Sequence, residues 1–175
     1  MITSYFIRKK IAALAEESAA RRHRSLPLDE ARALLVLCDG ADRAAVEPLL
    51  EPVRRVGRQV TLCLLVPAGV TQETEEEGVV CVRAKGDLDA WGFPREPLAE
   101  RVRALPADIL IDVTPTDCYP LRYLALRHPA RFKVGVKRPG EKGYDMALAP
   151  AEGSDTGDLL RQLLFYLGRL HGEMR

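Results

Sequence analysis

The sequence predicts an α/β fold, a Rossmann-like three-layer sandwich with a mainly parallel sheet and an N-terminal amphipathic helix. Three observations predict it. Short continuous apolar runs close in turn residues, the pattern of strands buried on both faces. Stretches with helical spacing alternate with those runs. The 175 residues, 47% hydrophobic and 29% charged, suit one soluble domain that hides roughly 70% of its unfolded surface.

Ile7, Ile11, Leu14 and Ser18 fall at i, i+4, i+7 and i+11, a narrow stripe that predicts a helix over 3–21. Arg21, Arg22, His23 and Arg24 finish it, where cations suit a helix C-terminus. Residues 1–24 are therefore read as a basic amphipathic helix and 25–175 as a single Rossmann-like domain. The apolar run 33–38, stopped by Asp39 and Gly40, predicts a buried strand, and Val46, Leu49, Leu50 and Val53 mark a helix over 44–56. A second buried strand over 60–66 completes a βαβ unit, which implies a parallel pair with a right-handed crossover.

Residues 67–78 read as a solvated acidic loop with Glu73, Glu75, Glu76 and Glu77. Residues 79–82 predict a third strand, and a loop over 85–97 leads to a helix marked by Leu98, Val102 and Leu105. A strand over 109–113 precedes a helix over 120–127 with Pro in its first turn, where the missing N–H costs little. Residues 132–136 predict a strand and 145–148 a last short one. The closing helix, over 158–170, turns Leu159, Leu160, Leu163, Leu164 and Leu167 inward, with Ser154 or Asp155 as its cap.

The formal net charge is +1, but it is unevenly spread: residues 1–24 carry six Lys/Arg against two Glu, and residues 121–143 seven against one. Cys38, Cys63, Cys81 and Cys118 form no C-x-x-C pair, and His23, His128 and His171 stand apart. Buried reduced thiols are expected, with no metal site and no cofactor, in a reducing cytoplasm. Arg8, Lys9 and Lys10 interrupt the N-terminal apolar stretch, so no signal peptide is expected. The longest clean apolar run, 33–38, is far short of the ~20 residues of a membrane-spanning helix.

No nucleophile elbow, P-loop, zinc-protease or kinase motif is present. In open α/β sheets ligands bind outside the carboxyl ends of the strands. The first such end, Cys38-Asp39-Gly40-Ala41-Asp42, has one glycine, and its carboxylates oppose phosphate; it reads as a turn and helix cap. The richest end is that of the strand over 109–113. Asp112 sits there in a buried strand, where a carboxylate must be paired or hydrogen-bonded. Thr114, Thr116 and Asp117 follow, with Thr116 or Asp117 expected to cap the next helix.

Arg122 and Arg127 are expected to face water, while Lys137 and Arg138 stand at the next strand end, where Arg138 offers a planar fork to carboxylate or phosphate. The candidate site is thus Asp112, Thr114 and Thr116 for hydroxyl contacts, with Lys137 and Arg138 for an anionic group. A solvated basic surface is the plainer reading of the block. Trp91-Gly92-Phe93-Pro94 reads as a loop anchored by its aromatics. Trp91 and Phe93 are distant in sequence from the basic block 121–143, so nucleic acid is not expected as a partner.

Two resemblances add to this. The string Ala-Asp-Ile-Leu-Ile-Asp-Val at 107–113, the helix with Tyr123-Leu124-Ala125-Leu126, then Phe132-Lys133-Val134-Gly135-Val136-Lys137-Arg138 and Tyr144-Asp145-Met146 resemble an uncharacterised bacterial family of short single-domain α/β proteins. Its members open with a Tyr-Phe-basic helix, as Tyr5-Phe6-Ile7-Arg8-Lys9-Lys10 does here, and Trp91-Gly92-Phe93-Pro94 also fits. That likeness covers nearly the whole chain, implies a Rossmann-like fold and brings no established activity. More distantly, residues 107–138 are similar to the acceptor-side half of heptosyltransferase-like GT-B glycosyltransferases. Those enzymes need a second Rossmann-like half for the sugar nucleotide, so this resemblance implies a shared half-fold and not a complete transferase.

The leading functional expectation is a cytoplasmic binding or accessory module for an anionic small molecule, without a complete active site in this chain alone. One alternative is a glycosyltransferase-like enzyme completed by a partner subunit. The other is a peripheral module whose N-terminal helix meets an anionic membrane, a protein partner or a second copy of the chain.

Overall fold

The computed structural model describes residues 2–70, 74–115, 117–140 and 142–170. In chain order these form α1 (Ile2–Ala20), β1 (Ala33–Asp39), a single 3₁₀ turn (Gly40–Asp42), α2 (Arg43–Arg55), β2 (Gln59–Val66), β3 (Val79–Arg83), α3 (Glu96–Arg103), β4 (Ile109–Asp112), α4 (Tyr119–Arg127), β5 (Phe132–Val136), β6 (Met146–Leu148) and α5 (Thr156–Arg169). The expected elements are all present, with shifts of a residue or two at their ends.

The strands pair in the order β3-β2-β1-β4-β5-β6, every pair parallel. This is a Rossmann-like α/β fold, and the order reverses between β1 and β4. Alternate residues of each strand feed two cores, as the pleat requires. Leu34, Val36, Ile109 and Ile111 pack with Val46 and Leu50 of α2 and Leu160, Leu163 and Leu167 of α5. Leu35, Leu37 and Leu110 pack with Val102 of α3 and Leu121, Leu124 and Ala125 of α4.

α1 does not extend the sheet. It lies across the outer side of α4, burying Ile11, Ala15 and Ser18. As a result α4 is enclosed on both sides, and the six residues Leu121, Arg122, Tyr123, Leu124, Ala125 and Leu126 are all buried. This corrects two expectations. Arg122 does not face water: only 3% of it is exposed, and its guanidinium lies 4.2 Å from the centre of the Tyr144 ring. Arg127 is half-buried, and its guanidinium donates to Glu96 at 2.9 Å and Glu100 at 3.3 Å. The acidic loop is exposed as expected, at Glu75, Glu76 and Glu77, and two of these carboxylates are paired. Glu75 takes two hydrogen bonds from Arg101, at 3.0 and 2.9 Å, and Glu76 pairs with Arg43; Glu73 lies outside the described residues.

Lys133, the second residue of β5, ties α1 to the domain. Its side chain is fully buried. Nζ donates to Ser18 Oγ of α1 and to the Leu126 carbonyl of α4, each at 2.9 Å. Ser18 in turn donates to the Gly143 carbonyl at 3.0 Å. Asp145 accepts the Lys133 backbone N–H at 2.8 Å and pairs with Arg21 at the end of α1. Burial, reinforced by the nearby charges of Arg21 and Arg122 and opposed by Asp145, lowers the Lys133 amine to about 7. His128 is likewise lowered to about 4 by burial. Its Nδ1 accepts from the Ala130 N–H and its Nε2 donates to the Leu105 carbonyl, both at 3.0 Å.

In the unfolded chain Lys133 keeps its proton up to its ordinary pKa near 10.5, whereas in the folded protein it releases it near 7. At this group the unfolded state therefore binds more protons between these values, and its contribution to stability rises with pH across that window, by up to about 1.4 kcal/mol per pH unit. Urea unfolding from pH 7 to about pH 8.5, below the range where the thiols of the unfolded chain ionise, should show this rise in the native chain. Lys133→Met should flatten it, and an unchanged slope in that variant would assign the titration to another group.

Candidate functional site

β1 ends at Asp39, and the chain turns at once through Gly40, Ala41 and Asp42 into α2; Asp39 Oδ1 caps the turn by accepting the Ala41 N–H at 2.9 Å. β4 ends beside it at Asp112, with Leu37 and Asp112 in register. Helix α5 starts close by. Asp155 is its N-cap, accepting the Asp158 N–H at 2.8 Å, and Asp158 returns the contact to the Asp155 N–H at 3.4 Å, a reciprocal capping box. The Thr156 hydroxyl donates to Asp42 Oδ2 at 2.7 Å and so locks α5 to the end of β1.

Together these ends enclose a crevice of about 380 Å³, at the small end of the range for ligand pockets. Its polar lining is Asp42, Thr114, Ser154, Asp155 and Thr156, and its apolar walls include Val113, Val136 and Leu159. No cationic side chain lines it among the described residues. One oxygen of Asp42 and one of Asp155 are engaged as above; the second oxygen of each has no protein partner among the described residues.

Behind Thr114 lies a buried polar network that the sequence had partly marked. Asp112 is wholly buried. Its Oδ1 accepts the Thr114 N–H at 2.9 Å and the Thr114 hydroxyl, and its Oδ2 accepts the Tyr144 hydroxyl and lies 3.5 Å from Arg138 Nη2. Arg138 Nη2 also donates to the Thr114 carbonyl at 3.2 Å, the Thr114 hydroxyl at 3.1 Å and the Pro115 carbonyl at 3.2 Å. Burial of the Tyr144 hydroxyl, and next the Asp112 charge, push its pKa far up, so it stays a donor. Tyr144 reaches Asp112 by crossing β5 at Gly135. A Cβ there would stand 2.8 Å from both the Asp112 carbonyl oxygen and the Tyr144 ring.

The structure thus brings three of the expected residues together, Asp112, Thr114 and Arg138, and separates a fourth. Only Thr114 lines the crevice. Asp112 and Arg138 grip it from behind, and the Arg138 fork is buried with Nη1 and Nη2 committed to protein oxygens. Lys137 is exposed and does not line the crevice; Thr116 lies outside the described residues. Asp117 is not the cap of α4: the N-cap is Cys118, with no side-chain cap bond. Asp42, Ser154, Asp155 and Thr156 belong to the crevice, but the first three read in the sequence as turn and cap residues and Thr156 carries no signal of its own. Their signal is that capping chemistry falls at two strand-end loops which the sheet order makes neighbours.

The four cysteines are free and buried, and burial raises Cys63 and Cys118 to about 12, so they are inert as nucleophiles. Among the described residues no group of His, Cys, Asp and Glu could hold a metal ion, and no helix is long and apolar enough to cross a membrane.

A search of solved structures finds a glycosyl transferase family 9 protein from Veillonella parvula DSM 2008, with a TM-score of 0.49 and 17% identity over 86% of this chain. This chain spans 43% of that one. No curated protein matches the sequence. The model of a family of unknown function, DUF6913, matches residues 4–170, and the chain belongs to that family.

Proposed function

We propose that this chain is a small cytoplasmic binding module, without a complete active site of its own, whose ligand is a compact molecule bearing hydroxyl or amine donors. The lining of the strand-end crevice carries this reading. Carboxylates and hydroxyls converge there at the β1/β4 reversal, where open α/β sheets hold ligands, and no cation among the described residues joins them. Asp42 and Asp155 accept from ligand donors, Thr114 and Thr156 fix orientation, and Val113, Val136 and Leu159 exclude water. Asp112 and Arg138 act as positioning residues that hold Thr114 without touching the ligand. Four buried free thiols suit a reducing compartment.

The competing reading, an anionic ligand, now rests on exposed Lys137, because the Arg138 fork is turned to the protein. A sugar-transferring enzyme completed by a second subunit is a further alternative, since a sugar hydroxyl is a donor of the required kind.

A thermal-shift panel of neutral sugars, polyols, amines, sugar phosphates and nucleotides at low salt separates these readings. A bound hydroxyl or amine compound at 100 times its Kd adds about 2.7 kcal/mol, a rise of several degrees. Asp42→Asn keeps the acceptor for Thr156 but removes the charge. It should weaken binding about ten-fold or more, given the ~1.5–3 kcal/mol of a charged hydrogen bond; Lys137→Ala should leave it unchanged. Shifts confined to phosphates and lost in Lys137→Ala would overturn the proposal in favour of the anion.

Two variants test the bed of the site. Asp112→Ala strands Arg138 and the Tyr144 hydroxyl and should cost about 3–5 kcal/mol in urea unfolding. Gly135→Ala should cost about 1–3 kcal/mol by overpacking against the Asp112 carbonyl and Tyr144.

A further inference from the structure

A second surface, independent of the crevice, lies on the first half of α1 and the loop before α3. Tyr5, Phe6 and Trp91 are 62%, 51% and 52% exposed, unusual for such large apolar side chains. They are contiguous: the Tyr5 and Phe6 rings lie 5.7 Å apart and the Phe6 and Trp91 rings 6.3 Å apart. Trp91 is held outward by a built loop. Asp89 Oδ1 accepts the N–H groups of Trp91 at 2.8 Å and Phe93 at 2.9 Å, and Gly92 turns the chain with φ of 82°. Phe93 is buried against Tyr123, with ring centres 5.1 Å apart. One aromatic of the loop is its anchor and the other is presented to solvent.

Beside this cluster stand Arg8, Lys9 and Lys10, all exposed. None of the three pairs with a carboxylate among the described residues, whereas Arg43, Arg101 and Arg127 all do. Lys10 instead lies over the faces of Phe93 and Tyr123, at 4.5 and 5.1 Å. A groove of about 650 Å³ runs between α1 and the loop, and Asp89 is the one carboxylate among its lining residues.

We propose that this face docks the protein peripherally on an anionic phospholipid surface. Uncompensated cations beside exposed aromatics ask for an occupant that is both apolar and negative. Tyr, Trp and Phe settle at the headgroup level of a bilayer, and Lys and Arg reach its phosphates. Single-stranded nucleic acid shares the charge but needs open ring faces for its bases. Here the rings meet edge to face, at 75° and 68°, so that they form an apolar wedge and not a stacking platform.

The test uses the full chain with vesicles of phosphatidylcholine, with and without phosphatidylglycerol, at low salt. Trp91 is the chain's one tryptophan, so its emission reports directly on the face. The protein should sediment with the anionic vesicles alone, release as salt rises, and show a blue shift of Trp91 emission. Arg8→Gln/Lys9→Gln should weaken the partition roughly twenty-five-fold, at about five-fold per charge, with an unchanged melting curve. Phe6→Ala and Trp91→Ala, read by sedimentation, should weaken it as well. No sedimentation and no shift with anionic vesicles would overturn the proposal. So would equal binding to neutral vesicles, full partition by the double variant, or quenching of Trp91 by a single-stranded oligonucleotide while vesicles leave it unchanged.

Discussion

Between α4 and the β4–β5 part of the sheet, a seam of ionisable side chains lies out of water, and Lys133 and Asp112 are each held by atoms of another element. Lys133 of β5 reaches Ser18 of α1 and the Leu126 carbonyl of α4. Asp112 of β4 takes the hydroxyl of Tyr144, from the loop that follows β5. A buried charge without its partners costs several kcal/mol, whereas a satisfied pair adds little over an apolar core. What the seam supplies is therefore register: α1, α4 and the 137–145 crossover each fit in one arrangement. That crossover is itself unusual. Parallel neighbours commonly need a helix between them, and here a short loop carries Tyr144 over the strand at Gly135.

The crevice inherits its geometry from this seam. Thr114 has one side in each. Its N–H and hydroxyl donate to Asp112, its carbonyl and hydroxyl accept from Arg138, and it forms part of the crevice wall. On the other wall, the hydrogen bond from Thr156 to Asp42 joins residues far apart in the chain. Both walls are thus set before any ligand arrives, and preorganised donors and acceptors lower the entropy cost of binding.

Much of the fold was legible because a parallel sheet buried on both faces writes itself as apolar runs. Residues 33–38 and 60–66 could be little else. Asp112 was legible for the opposite reason, since a carboxylate inside such a run demands partners. The basic block was misread where tertiary structure overrides periodicity. Nothing within 119–127 says that a second helix will cover the outer side of α4, so Arg122 looked solvated. The partner of Lys133 is equally invisible locally, because its acceptor is Ser18, the polar member of the distant α1 stripe. The crevice was illegible in a different way. Asp42 and Asp155 announce themselves as cap residues, which they partly are, and only the strand order brings their loops together.

The two halves of α1 have different work, and this constrains how its surface can be studied. From Ile11 onward the helix is structural: Ile11 and Ala15 cover α4, Ser18 satisfies Lys133, and Arg21 pairs with Asp145. Before Ile11 it presents Tyr5, Phe6, Arg8 and Lys9 outward, and among its described side chains only Ile7 is half-buried. A helix fixed at one end by buried hydrogen bonds can carry an exposed apolar end without relying on that end for its own folding. Removing residues 1–24 would strip α4 of its cover and leave the Lys133 amine without Ser18, so a truncated chain would confuse loss of docking with loss of structure. Substitutions confined to Arg8, Lys9, Phe6 and Trp91 touch only the outward half, because none of these side chains enters the seam.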